Sequence, residues 1–277
     1  MASRFGVSSF TLKVAAIAGM TCNHVANIFA GTMPGWITVF LCTFGGLTFP
    51  IMAFLLCEGY HHTSNVRRYA TRLAVFAAVA QIPYSLLWGV TANVLFTLLI
   101  GLGILWAQDH MRSRIAFAAV LVAGIAASAL CDWGVIGPVL IFLFHQLREN
   151  PRRVIITMLV ALLALGLPVI SSLVGDLQTP AADSDPEALT VESPWEVLCE
   201  TPARTTDPFE SGTANTVYQA GALVGDLGAA GYYTIGFALA TALMLAYNGK
   251  RGRPMKWFFY VYYPAHLLAL WALSYLL

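Results

Sequence analysis

Two histidines lie where a lipid-embedded chain has least reason to keep them. His24 follows Lys13 by eleven residues and His266 follows Lys256 by ten, each within an otherwise apolar stretch. On a helix rising about 1.5 Å per residue, these separations put both imidazoles roughly 15 Å from the basic residue, near mid-membrane. Ionisable groups are costly at that depth and mark candidate functional sites. Imidazole titrates near neutral pH and can take a proton from an attacking amine or hydroxyl. Two rings at one depth, on the first and last helices, can meet in a common cavity as acid–base groups. They can equally be neutral rings hydrogen-bonded between helices, and the sequence leaves both open.

Other polar groups surround these two. Asn23 adjoins His24 and can fix a ring orientation or bind substrate through its amide. Glu58 ends the second apolar stretch, ahead of Tyr60, His61, His62 and Asn65. The Glu-x-x-His-His spacing matches neither thermolysin-type nor inverted zinc motifs, so no metal is expected. The simplest reading of Glu58 is an interfacial turn paired with Arg67, Arg68 or Arg72. Asp132, before Trp133 and Gly134, reads as turn chemistry with an aromatic anchor. Asn93 is an expected helix N-cap, and Gln81, Pro83 and Tyr84 put polar atoms and a kink late in the third helix. No Gly-x-Ser-x-Gly elbow, P-loop or zinc signature is present, which disfavours a serine hydrolase or a nucleotide hydrolase.

The elements that must hold these groups are membrane helices. Apolar residues make up 58% of the 277 and charged ones 10%, against about a quarter charged in soluble domains. A spanning helix needs about 20 apolar residues. By that measure helices fall near 11–31, 36–58, 70–89, 93–108, 115–131, 135–147, 153–174, 231–247 and 257–277. The fold class expected is all-α, a polytopic transmembrane bundle of about nine spans. The pair within 115–147 can instead be re-entrant. Gly45, Gly46, Gly101 and Gly103 lie inside these helices, where close helix packing explains them.

Basic residues set the orientation. Every Lys and Arg except Arg204 can be placed on one side, the positive-inside pattern, with the N-terminus inside and the C-terminus outside. Every acidic residue except Glu58, Asp109, Asp132 and Glu149 lies within 176–226. The chain therefore reads as one transmembrane domain, 1–277, with 176–230 an acidic extracytoplasmic loop. That loop is either solvated and mobile or a docking surface. The short inner loops read as topology determinants, so no nucleic-acid partner is expected. Cys22, Cys42, Cys57 and Cys131 are scattered in or beside apolar stretches and Cys199 stands alone, which gives no disulfide framework.

Several segments, taken in order, resemble the TraX family, whose founding member is linked to acetylation of conjugative pilin. They are Leu12-Lys13 with Asn23-His24, Phe49-Pro50 through Glu58-Gly59-Tyr60, and His62-Thr63-Ser64-Asn65 with Arg72-Leu73. Gln81-Ile82-Pro83-Tyr84, Asn93-Val94-Leu95-Phe96-Thr97, Tyr247-Asn248-Gly249-Lys250-Arg251-Gly252 and Tyr263-Pro264 with His266 complete the set. The resemblance implies a bacterial cytoplasmic-membrane acyltransferase that moves an acetyl or short acyl group from acetyl-CoA. The acceptor would be an amine or hydroxyl on a pilin-like protein, glycan or lipid, on or near the outer face. The Lys13–His24 spacing is also similar to that of other transmembrane acyltransferases with an essential histidine. This makes His24 the expected general base, with His266, Asn23 and Glu58 as further catalytic candidates. Lys13, Arg72, Lys250, Arg251 and Asn65 are the expected donor-binding residues, because a phosphorylated donor needs fixed positive charge. The family usually has Asp-His where this chain has Asn23-His24, which removes a carboxylate partner for imidazolium. From a different class, a small-metabolite transporter with a histidine proton relay fits the same buried groups.

Overall fold

The computed structural model describes residues 6–178 and 224–276. Most of the acidic loop, with Trp195, Cys199 and Arg204, lies outside the described residues. Among those described the chain is helical, with no strand beyond isolated bridges at Val7–Tyr247 and Ala92–Cys131. The apolar stretches read from the sequence fold as helices close to their expected bounds.

Three of the described helices begin where a side chain satisfies one of the first free backbone N–H groups. Asn65 accepts the Arg68 N–H at 2.8 Å and opens α4 (Val66–Trp88). Asn93 accepts the Leu95 N–H at 3.0 Å and opens α5 (Val94–His110), as its expected N-cap role requires. Ser113 does the same for α6 (Arg114–Ser128) through the Ala116 N–H, at 3.2 Å. Gly89, with φ of 75°, closes α4 through the left-handed backbone that glycine adopts without strain.

Two compact units divide the chain. The first comprises Met1–Ile17, Thr48–Ala161 and Ala240–Leu277. It holds the first turns of α1 (Ser9–Phe29) and all of α3 (Thr48–His62), which packs on α7 (Ile136–Gln146). Helix α7 also packs on α5 and on α8 (Arg153–Ala161), and α4 packs along the last helix, Lys256–Ser274. Phe49, Ile51, Phe54, Leu105, Leu140, Ile141 and Phe144 form its buried centre. Phe54 meets Phe144 edge-on at 5.7 Å, a favoured aromatic geometry.

The second unit comprises Ala18–Leu47 and Leu162–Leu239. Its helix α2 (Gly35–Gly45) ends where a single helix over 36–58 was expected. The cause is a close backbone approach. A Cβ on Gly46 would strike the Tyr232 carbonyl and come within 2.9 Å of the Gly236 Cα. Gly236 ends a π-helical turn, Tyr232–Gly236, and a second π turn, Leu162–Gly166, precedes α9 (Leu167–Gln178). The two π turns pack on each other. Gly45 packs against Asn23 and Gly101 against Ile141, as expected, whereas Gly103 faces open space.

Five helices among the described residues are long and apolar enough to cross a membrane: Ser9–Thr32, Gly35–His62, Val66–Trp88, Arg153–Ser171 and Val224–Leu245. Three apolar helices, α5, α6 and α7, are shorter.

Candidate functional site

Three of the expected donor-binding cations converge at one end of the first unit. Residues 6–10 and 246–251 are 240 positions apart in the chain yet backbone-paired. The Val7 N–H donates to the Ala246 carbonyl at 2.9 Å, and the Asn248 N–H returns to Val7 at 3.0 Å. The Ser9 and Phe10 N–H groups donate to the Lys250 and Arg251 carbonyls at 2.8 and 3.1 Å. Asn248 adds a side-chain bond to the Gly6 carbonyl at 2.8 Å. This docks the Lys250-Arg251 turn onto the first turn of α1, one turn from Lys13. Lys13 Nζ lies 5.5 Å from the centre of the Phe259 ring. Among the described residues none of Lys13, Lys250 and Arg251 is ion-paired. Like charge gathered on a folded scaffold with no acid paired to it favours an anionic partner.

A second polar site occupies a cavity of about 500 Å³ in the same unit. Its walls include Glu58, His61, His62, Arg148, Glu149, Arg153 and Tyr247. Arg153 donates to Glu58 at 2.7 Å and lies 5.1 Å over the Phe54 ring. Glu58 therefore pairs with Arg153, on a helix 95 residues away, and not with Arg67, Arg68 or Arg72. No local spacing signals this pair, because the two residues meet only when α3 and α8 come together around α7. Behind His61 runs a chain of polar groups that sequence reasoning missed. His61 Nε2 lies 3.3 Å from His145 Nδ1, with the rings stacked at 5.0 Å. His145 Nε2 lies 3.1 Å from Asp109 Oδ1, and the Tyr60 hydroxyl donates to Asp109 Oδ2 at 2.7 Å. The signal available was weak: ionisable residues at the inner ends of three separate helices, α3, α5 and α7.

The remaining expected site residues are divided between the two units. His24, in α1, is buried. Asn23 beside it packs against Gly45, its carbonyl accepting the Asn27 side chain at 2.9 Å. His266 belongs to the first unit, buried, with Nδ1 3.0 Å from the Tyr262 carbonyl and its ring stacked on Tyr262. Arg72 lies 5.9 Å from the Tyr69 ring centre, and its Nε is buried without a hydrogen-bond partner. Asn65 serves α4 as its N-cap.

At the turn between α6 and α7, Trp133 has φ of 69°, a conformation side chains other than glycine rarely adopt. Its ring stacks on Phe49 at 4.1 Å. The Thr97 hydroxyl donates to the Asp132 carbonyl, and the Asp132 N–H donates to the Ala92 carbonyl at 2.7 Å. Burial raises the Asp132 carboxyl to about 6, against the pull of the Trp133 N–H toward the charged form. Asn93 completes a buried amide network: its side chain donates to the Ala77 carbonyl at 2.8 Å and to Gln81 at 2.9 Å.

Among the described residues no group of three or more His, Cys, Asp and Glu side chains is arranged to hold a metal ion. Comparison with known proteins gives three findings. No solved structure matches the chain. A protein of Dichelobacter nodosus, named "Probable fimbrial assembly protein FimC, serogroup H1", is 33% identical over 187 residues, which is 62% of this chain and 74% of that protein. The family described as "TraX protein" matches residues 8–193 and 214–274, most of the chain, so this protein belongs to the TraX family.

Proposed function

We propose that this protein is an acyltransferase of the bacterial cytoplasmic membrane, moving an acetyl or short acyl group from coenzyme A to an amine or hydroxyl. The observation that carries the reading is the cluster of Lys13, Lys250 and Arg251, three cations held together by backbone pairing across the length of the chain. A pyrophosphate needs fixed, accessible positive charge, and charge-assisted bonds to phosphate are the strong kind. Arg72, with its buried and unpartnered Nε, is a further candidate for the donor. On the same helix as Lys13, His24 follows three turns on, roughly 16 Å along the axis. In this reading Lys13 holds the donor and His24 takes the acceptor's proton. The attacking oxygen or nitrogen forms a bond to the thioester carbon, and the coenzyme A thiolate leaves and is reprotonated. The fimbrial-assembly name of the relative supports an acceptor on a surface-assembled protein.

The test is equilibrium binding of labelled acetyl-CoA to the full chain purified in detergent. Removing Lys250 and Arg251 together with alanine should weaken binding by about tenfold or more, since each charge-assisted bond is worth about 1.5–3 kcal/mol. Unchanged affinity in that variant would move the donor elsewhere.

A further inference from the structure

The cavity beneath His61 is not needed for the donor reading, and its chemistry differs from that of the basic cluster. Its fixed charges cancel: Arg148 and Arg153 stand against Glu58 and Glu149. Glu58 is already satisfied by Arg153 at 2.7 Å. The part of the lining that can gain a charge as a ligand enters is His61, backed by the hydrogen-bonded groups behind it.

Hydrogen-bond direction fixes how that system is set. A carboxylate only accepts, so His145 Nε2 must carry the hydrogen shared with Asp109 Oδ1, at 3.1 Å. The other carboxylate oxygen is taken by the Tyr60 hydroxyl at 2.7 Å. In neutral His145 the Nδ1 lone pair then faces His61 Nε2 at 3.3 Å and accepts its hydrogen. Along the chain this leaves the second nitrogen of His61, Nδ1, with a lone pair to offer. A ring in that state can gain a proton but has none to give up there. Proton gain tips a lining of two Arg and two Glu to net positive charge, which favours an anion.

We propose that this cavity is a proton-linked site for a small anion, a phosphate-, sulfate- or carboxylate-bearing group, in which His61 takes up one proton from water as the anion binds. The bond formed is N–H at His61 Nδ1. The charge of the anion is met by the new imidazolium and by Arg148, while His145 and Asp109 hold the ring in the receiving tautomer. The groups facing His61 are Glu58, Tyr60 and His62 on its own helix, Asp109 from α5, His145 from α7, Arg148 and Glu149 from the following turn, Arg153 from α8, and Tyr247. Of these, Arg148 carries fixed positive charge outside any ion pair among the described residues. It gives the anion its first contact.

The experiment is calorimetric titration of the full chain in detergent with sodium sulfate, an anion that does not itself titrate near neutrality. Buffers of different ionisation heat count the protons taken up. The expected result is about one proton per sulfate, and affinity falling by up to tenfold per pH unit on the alkaline side. His61→Gln should keep the fold and abolish the uptake, and Asp109→Asn should reduce it by freeing His145 to reorient. Sulfate that binds with no proton, full uptake in His61→Gln, or no sulfate binding at all overturns the inference. If His61→Gln fails to fold, His61→Asn is read in the same way. Dephospho-coenzyme A, whose pyrophosphate diester does not titrate in this range, is the second probe. Its failure to bind would sink the acyltransferase reading while leaving proton-linked sulfate binding intact.

Discussion

The Glu58–Arg153 pair gives the most exacting test of how the cavity end of the first unit is held. The two groups meet at 2.7 Å with 15% and 20% of their side chains exposed, so the pair is largely shielded from water. A charge-assisted hydrogen bond of this kind is worth about 1.5–3 kcal/mol, and limited exposure places this one in the upper half of that range. Arg153→Met removes the counter-charge and leaves Glu58 with only the weaker neighbour His62, at 4.0 Å. It also removes the guanidinium lying 5.1 Å from the Phe54 ring, a contact worth about 0.5–1 kcal/mol. The expected loss is about 3 kcal/mol. Glu58→Gln keeps the cation over Phe54 and should lose about 2 kcal/mol.

Because each single change strands one charge, the double variant should lose less than the two combined. A coupling energy of about 2 kcal/mol is expected. The assay is unfolding of the four proteins in mixed micelles with rising dodecyl sulfate, followed by tryptophan fluorescence. A coupling energy below about 0.5 kcal/mol, the size found for exposed pairs, would show that water screens the pair and that the cavity wall does not depend on it.

His24→Ala should lose about 10²–10⁴ in transfer rate, the usual contribution of a general base, while acetyl-CoA binding persists; product formation at the parental rate would make His24 structural. Asp132 provides a pH signature of stability. Its carboxyl is raised from 3.8 to about 6 by burial, so between those values the native state holds a proton that the unfolded chain has released. Stability should therefore fall as pH rises through that window, by roughly 3 kcal/mol in all from this group. Asp132→Asn should flatten the difference in thermal midpoint between pH 4.5 and 7.5, and an unchanged slope would assign the titration elsewhere. Ser64→Cys should react with an impermeant maleimide only from the cytoplasmic side, and labelling of intact cells from outside would reverse the proposed orientation.

Much of the fold was legible because it depends on local chemistry. Apolar length located each helix, and Asn65, Asn93 and Ser113 cap helices through bonds to N–H groups two or three residues on. The break after α2 was not legible. The run over 36–58 is mostly apolar, and its Gly45-Gly46 pair read as close packing within one helix. Its interruption follows from the approach of Gly46 to Tyr232 and Gly236, partners more than 180 residues away in sequence. The two π turns share a trait that a closer reading could have used, since each ends on a glycine, Gly166 and Gly236, inside an otherwise apolar run. The candidate sites divide in the same way. Lys13, Lys250 and Arg251 stood out as cations at the ends of apolar stretches, and their convergence required only that those ends meet. Asp109 and His145 each stand near the end of an apolar helix, α5 and α7, and no motif or spacing links them in the sequence.

The two polar sites of the first unit handle charge in opposite ways, and this makes them separable by experiment. The Lys13–Lys250–Arg251 cluster offers fixed charge with no acid paired to it among the described residues. Binding there should weaken with salt, because screening over a Debye length of about 8 Å at physiological ionic strength acts on exposed cations. The cavity adds the charge that His61 gains on protonation to that of Arg148, among walls whose fixed charges sum to zero. Its binding should follow pH steeply and salt weakly. The arrangement also explains why the relay is backed by Asp109 and closed off by Tyr60. A carboxylate with both oxygens engaged cannot swing toward the cavity and compete with the anion.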